Sequence, residues 1–159
     1  MKRATLVKRF CKSLTVPTGR LAGKPIKLAP YQNRFIDGAF ADGVNVGVLS
    51  VGRGNGKSAI SAMLCVGELV GAWSDAAERE VIIAARTQEQ ARIAWNYCVS
   101  FIGTLPEDVQ ANISIRRQPR FEIQYDDENG PHLIRAISAD GKSALGSSPT
   151  LAVLDERGH

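Results

Sequence analysis

A chain of 159 residues with 44% hydrophobic content is long enough to bury a core and short enough to make one domain. Its three cysteines, Cys11, Cys65 and Cys98, stand far apart with no C-x-x-C pair, which speaks against a disulfide framework and a zinc site and fits a reducing cytoplasm. The formal charge of +4 is uneven, because nine basic residues from Lys2 to Arg34 precede the first acid, Asp37, and leave 11 basic against 16 acidic residues for the rest.

The basic start has no uninterrupted apolar stretch before a small-residue cleavage site, and the longest apolar run, Ile60 to Trp73, is broken by Glu68, so neither secretion nor a membrane span is expected. Residues 1–29 are expected to form a basic, partly extended amino-terminal arm, whose charge could meet DNA phosphates, an acidic partner or solvent. Within it, Thr15 to Pro30 is rich in Pro, Gly and Lys, as an extended lead-in would be. A short helix is expected over Tyr31 to Phe40. Val44 to Ser50 is an apolar run ended by Gly52, Gly54 and Gly56, after which Lys57 to Ala72 continues apolar and without proline, the order of strand, glycine loop and buried helix.

Glu80 to Ala85 is a second apolar strand, and Thr87 can cap a helix running to about Ile102, with Gln90 at the capping-box position. Phe121 to Tyr125 and His132 to Ser138, separated by Asn129-Gly130-Pro131, suggest a hairpin or two neighbouring strands. Thr150 to Leu154 is a last apolar strand running into Asp155 and Glu156. Strands alternating with helices, each nearly continuous in apolar character, predict an α/β fold with a mostly parallel sheet covered on both faces. Residues 30–159 would hold it.

The chemistry concentrates in Val51-Gly52-Arg53-Gly54-Asn55-Gly56-Lys57-Ser58. The ending Gly56-Lys57-Ser58 matches a Walker A loop, in which backbone N–H groups at a helix start receive phosphates and the lysine reaches the outer ones, while Ser58 would ligate Mg²⁺. The usual first glycine falls at Val51, with Gly52 one place late. A glycine-rich turn with an incidental lysine is the plainer alternative, weakened by the strand expected before the loop and the helix after it. Gly141-Lys142-Ser143 repeats the tripeptide without a glycine-rich lead and is expected to be loop.

Leu151-Ala152-Val153-Leu154-Asp155-Glu156 delivers two carboxylates at the carboxyl end of a strand, where open α/β sheets bind ligands. Such a pair alone often marks only a helix start. Coupled to the glycine loop it resembles a Walker B strand, with Asp155 holding Mg²⁺ and Glu156 polarising the water that attacks the γ-phosphate of ATP.

From about Lys27 to His159 the chain resembles the ATPase region of phage terminase large subunits, and that resemblance implies a P-loop NTPase fold of the ASCE, RecA-like kind. Pro30-Tyr31-Gln32 is similar to the family's element upstream of the P-loop, which implies an adenine contact for Gln32. Arg53 resembles an arginine inside terminase P-loops that reaches the γ-phosphate. Ala84-Ala85-Arg86-Thr87 with Glu89-Gln90-Ala91, and Leu145-Gly146-Ser147-Ser148-Pro149, resemble terminase segments more loosely.

The implied nucleotide-binding set is Gln32, Gly52, Arg53, Gly54, Asn55, Gly56, Lys57 and Ser58, with Glu156 and Arg53 catalytic and Ser58 and Asp155 on the metal. The implied activity is ATP hydrolysis, with ATP and Mg²⁺ as cofactors, driving double-stranded DNA into a procapsid in the host cytoplasm. The implied partners are a small terminase subunit, a portal and further copies in a ring. The chain is expected to stop short of the coupling motif and nuclease domain of such proteins and to have no nuclease activity, Asp126-Asp127-Glu128 being taken for a solvated hairpin tip. A helicase-like ATPase, or a truncated non-catalytic nucleotide- or DNA-binding remnant, would share much of this pattern.

Overall fold

A computed structural model describes residues 2–50, 56–138 and 148–155. In chain order these form α1 (Arg3–Ser13), α2 (Pro30–Ala39), α3 (Lys57–Val70), β1 (Glu80–Ala85), α4 (Gln88–Ile102), α5 (Glu107–Gln110), β2 (Ile113–Arg116), β3 (Glu122–Asp127), β4 (Gly130–Ser138) and β5 (Leu151–Asp155). The sheet order is β2-β3-β4-β1-β5, with β1 parallel to both β4 and β5 and with β3 antiparallel to β2 and β4. Four strands therefore run one way and β3 alone reverses, which is the mostly parallel sheet expected.

Register explains where the core sits. Ile123, Ile134, Val81 and Leu151 share one row across the strands, and the first three are fully buried. Alternate residues along each strand share a face, so this row and the Ala136–Ile83–Val153 row make the side on which α3 and α4 pack. The opposite side carries Glu122, Gln124 and Arg135 on β3 and β4, with Arg135 Nε 3.1 Å from Glu122 Oε2. Coverage on both sides was the expectation; among the described residues the packed helices lie on one side. The antiparallel β2-β3-β4 half has polar residues on its second face and tolerates water there, whereas β1 and β5 bring Ile82 and Leu154 to the same face.

α1 departs from the arm expected over residues 1–29. Ala4, Val7, Cys11 and Leu14 recur every three or four residues, the spacing of a helical stripe, and that stripe is buried with α2 and α3. The charges of this segment point outward, as Lys2, Arg3, Arg9 and Lys12 are exposed. Residues 15–26 are the turn-rich lead-in, closed by Val16 N–H donating to Lys24 O and Gly23 N–H to Val16 O, both at 2.8 Å.

Trp73 folds back over Gly67 of α3, where a β-carbon would collide with its ring, and Phe10 and Phe40 meet it edge-on at 5.9 and 5.7 Å. These contacts fix α1 and α2 against the end of α3.

Val44–Ser50 forms no strand. Val46 and Val48 are 78% and 84% exposed, and a β-carbon at Gly47 would run into Ala39 of α2. An apolar run becomes a strand only when a neighbour satisfies its backbone groups, and this run lies beside a helix instead. Strand β2 and the short helix α5 had no counterpart in the sequence reading, because Ile113–Arg116 gives only two apolar alternations.

The Asp126–Glu128 segment is a hairpin end with Asp126 and Glu128 exposed as expected, but Asp127 departs from that reading. Arg79 is 4% exposed and His132 fully buried, and Asp127 answers both: Arg79 Nη2 lies 3.0 Å from its Oδ2 and His132 Nε2 lies 2.8 Å from its Oδ1. His132 Nδ1 accepts from the Arg79 backbone N–H at 3.0 Å, so Nδ1 is bare and Nε2 carries the proton donated to Asp127. A buried arginine requires such a partner, and this one is the carboxylate read as solvated.

Candidate functional site at the carboxyl edge of the sheet

β1, β4 and β5 end level with one another, since Ala85 pairs with Ser138 on one side and with Asp155 on the other. This edge is where an open α/β sheet receives ligands. Asp155, half-buried, is the last described residue of β5.

The direction of α3 follows from its far end. Gly71 caps it in the left-handed region at φ 77°, and the Arg79 guanidinium fills the space beside Gly71, donating from Nη2 to Leu69 O at 3.2 Å. Arg79 immediately precedes β1, so the last turn of α3 sits at the amino end of β1. Fourteen helical residues rise ~21 Å and six strand residues ~20 Å, so a helix packed along β1 from that point presents its first turn at the strands' carboxyl edge. Lys57 and Ser58, both half-buried, form that first turn.

Gly56 is the N-cap of α3 at φ 75°, and no side chain caps the turn. The glycine is required there by the left-handed backbone, and an uncapped helix start leaves N–H groups for an anion. Tyr31 and Gln32 are brought to the same point: a β-carbon at Gly56 would lie 3.5 Å from Gln32 Nε2 and 3.7 Å from the Tyr31 hydroxyl. Gln32 Oε1 accepts from the Ala29 N–H at 2.8 Å, which orients the amide so that Nε2 faces Gly56. Pro30 at the first position of α2 and this bond start the helix where it brings Tyr31 and Gln32 against the loop.

The residues present suit a nucleotide with its metal. A free helix start, a lysine and a hydroxyl in the first turn and a carboxylate at the strand edge are the donor types that Mg²⁺ and phosphates take. Among the described residues no group of three or more His, Cys, Asp and Glu side chains could hold a metal by itself. Gly52, Arg53, Gly54, Asn55 and Glu156 lie outside the described residues, as do Val51, Gly141-Lys142-Ser143 and Leu145 to Ser147.

The cysteines offer no chemistry of their own. All three are buried; burial pushes the Cys11 thiol up to about 12, and a hydrogen bond with Cys65 together with burial raises Cys98 well above its ordinary value. Thiols held protonated in this way are poor nucleophiles.

Thr87 caps α4 as expected, its hydroxyl accepting from Gln90 N–H at 3.2 Å. The helix then carries Arg92 and Trp95 beside the β2–β3 turn, where Arg117 lies 5.4 Å from the Trp95 ring and Arg92 lies 5.9 Å from that of Phe121. The sequence reading passed over these arginines, although Arg116-Arg117-Gln118-Pro119-Arg120 is a visible basic run in an otherwise acidic body.

Comparison with known proteins fits this geometry. Residues 40–159 match the family described as the terminase large subunit, ATPase domain. The chain is 33% identical over 162 aligned positions to the terminase large subunit of Enterobacteria phage HK97, covering 96% of this chain and 29% of that protein. The crystal structure of the HK97 large terminase superposes with a TM-score of 0.79 at 29% identity, over 98% of this chain and 31% of the other. The large terminase ATPase domain of Thermus phage P74-26 shares the fold, with a TM-score of 0.51 at 22% identity over 65% of this chain and 44% of that one. This chain thus spans under a third of the HK97 protein. A helix start and a strand-end carboxylate at one sheet edge, within a family match over residues 40–159, identify the chain as a member of the terminase large-subunit ATPase-domain family.

Proposed function

We propose that this chain binds and hydrolyses ATP as the motor domain of a viral DNA-packaging machine, moving double-stranded DNA into a procapsid in the host cytoplasm. The carrying observation is the convergence at Gly56, where the free start of α3 and the Tyr31–Gln32 pair meet at the sheet edge that ends in Asp155. A helicase-like ATPase or a non-catalytic remnant would use the same loop, but the family match and the 0.79 superposition favour the packaging motor.

In this reading the backbone from Gly52 to Ser58 cradles the phosphates, Lys57 reaches the outer ones, and Gln32 contacts adenine through Nε2. Mg²⁺ would be held by the Ser58 hydroxyl and by Asp155 and would supply neutralising charge on the phosphates when bound. Glu156 takes the proton of the attacking water as general base, and Arg53 offsets the charge that develops on the transferring phosphoryl group. The ATPase unit is placed at residues 30–159, with the segment before it contributing α1. A small terminase subunit, a portal and further copies in a ring are the partners this function brings. No helix among the described residues is long and apolar enough to cross a membrane.

Calorimetric titration of Mg-ATP into the parent chain and Lys57→Ala tests the site. Removing the cation between the phosphates should abolish measurable binding with the melting temperature preserved. Equal affinity in a folded variant overturns the assignment.

A further inference from the structure

A second charged surface stands at the same sheet edge, on the side away from Asp155. Arg92 lies in the second turn of α4, and Arg116, Arg117 and Arg120 surround the β2–β3 turn; all four are exposed. The turn opens toward the strands' carboxyl ends, because Arg116 is level with Glu122 and Arg135 and the chain then continues beyond that row to Phe121, whose O accepts from Ala136 N–H. Four strand spacings separate β2 from β5, ~19 Å at ~4.8 Å each, so this surface is distinct from the nucleotide site.

Two features make it more than a solvated charged face. The rings of Trp95 and Phe121 meet edge-on at 5.1 Å, and each carries a guanidinium, Arg117 over the first and Arg92 over the second. Packing of the two rings thus fixes where both guanidinium groups stand. Among the described residues none of Arg92, Arg117 and Arg120 forms an ion pair, Glu122 is engaged by Arg135, and Glu89 is the one acid in the first turn of α4. Exposed like charges that are positioned by packing and left without an acidic partner suit an external polyanion.

Every cation here is arginine. The planar guanidinium stacks on rings through its face and keeps N–H donors at its edge for phosphate oxygens, a combination that lysine cannot offer.

We propose that Arg92, Arg117 and Arg120 form a contact for the phosphate backbone of duplex DNA, anchored on Trp95 and Phe121. Duplex DNA as the polyanion rests on the packaging-motor reading; the anchored arginine cluster does not. Neither Trp95, fully buried, nor Phe121, against the core, is free to stack on a base, so the contact reads charge and spacing without reading sequence.

The test is fluorescence anisotropy of a labelled duplex titrated with the chain at several salt concentrations, for the parent, Arg117→Ala/Arg120→Ala and Arg120→Gln. Each phosphate contact removed should lower the slope of log affinity against log salt by ~1, so the double variant should lose about two units and Arg120→Gln about one. Arg120→Gln disturbs no ring contact and keeps the test meaningful should the double variant fold poorly. Unchanged slopes overturn the proposal, as does competition by poly-glutamate as strong as that by unlabelled duplex, which would assign the surface to an acidic polypeptide. Mg-ATP affinity measured on the same variants should stay at the parent value. A parent that binds DNA through these arginines but binds no ATP would sink the nucleotide site and leave this surface standing.

Discussion

Gly56 concentrates the demands on the loop. Its φ of 75° lies where a side chain strains the backbone, yet the space beside it is ordinary, with Gln32 Nε2 at 3.5 Å from a would-be β-carbon. Gly56→Ala should therefore cost stability through conformation, ~1–2 kcal/mol, and weaken Mg-ATP binding by turning the first N–H groups of α3 away. Thermal unfolding and calorimetry on the same protein check both; full ATP affinity in the variant would free the loop from this geometry. That Lys57 and Ser58 open a helix was legible from the glycine-rich lead before them and the apolar run after them, features that Gly141-Lys142-Ser143 lacks. The adenine contact proposed for Gln32 rests on resemblance, since its own environment suits a helix-start glutamine equally well and indeed supplies that bond to Ala29. The Arg79–Asp127–His132 set was not legible, as its members are 48 and five residues apart in pairings that only the sheet register creates.

At the scale of elements, β1 and α4 follow from local signals that tertiary structure did not have to override. Thr87 supplies the cap, and Thr87→Ala should cost ~1 kcal/mol in denaturant unfolding. Val44–Ser50 shows the limit of such signals, since its valines announce a strand but no sequence feature states which backbone would pair with it. α3 adds a constraint invisible to pattern, the packing of Trp73 on Gly67. Gly67→Ala gains ~1 kcal/mol of helix propensity, but the methyl lands inside the indole ring. Displacing a large aromatic ring from three neighbouring elements outweighs that gain, giving a net loss of ~1–3 kcal/mol. Trp73→Leu relieves the collision, so Gly67→Ala should cost less in that background; an equal cost in both backgrounds would remove Trp73 from the explanation.

At the scale of the molecule, Asp127 ties three pieces together. The β3–β4 hairpin provides it, β1 begins beside it, and Arg79 also donates to Leu69 O at the end of α3, the helix whose first turn holds Lys57 and Ser58. Partial burial pushes the Asp127 carboxyl up, but hydrogen bonds from His132, the Asn129 N–H and Arg79 outweigh it and hold the group below its ordinary 3.8. A carboxyl depressed in the folded state contributes stability that is fully present above the ordinary value and is lost as pH falls through the folded one. Asp127→Ala should therefore lower unfolding free energy near neutral pH, by roughly 2–3 kcal/mol, because the almost fully buried Arg79 loses its counter-charge while keeping its carbonyl partners. The gap between parent and variant should narrow as pH drops below 3.8, where the parent's own carboxyl takes up its proton. Urea unfolding of both proteins across that range measures the gap. A gap that stays constant into acid would mean that Asp127 acts through shape and hydrogen bonding alone, with its charge contributing nothing to the link between hairpin and helix.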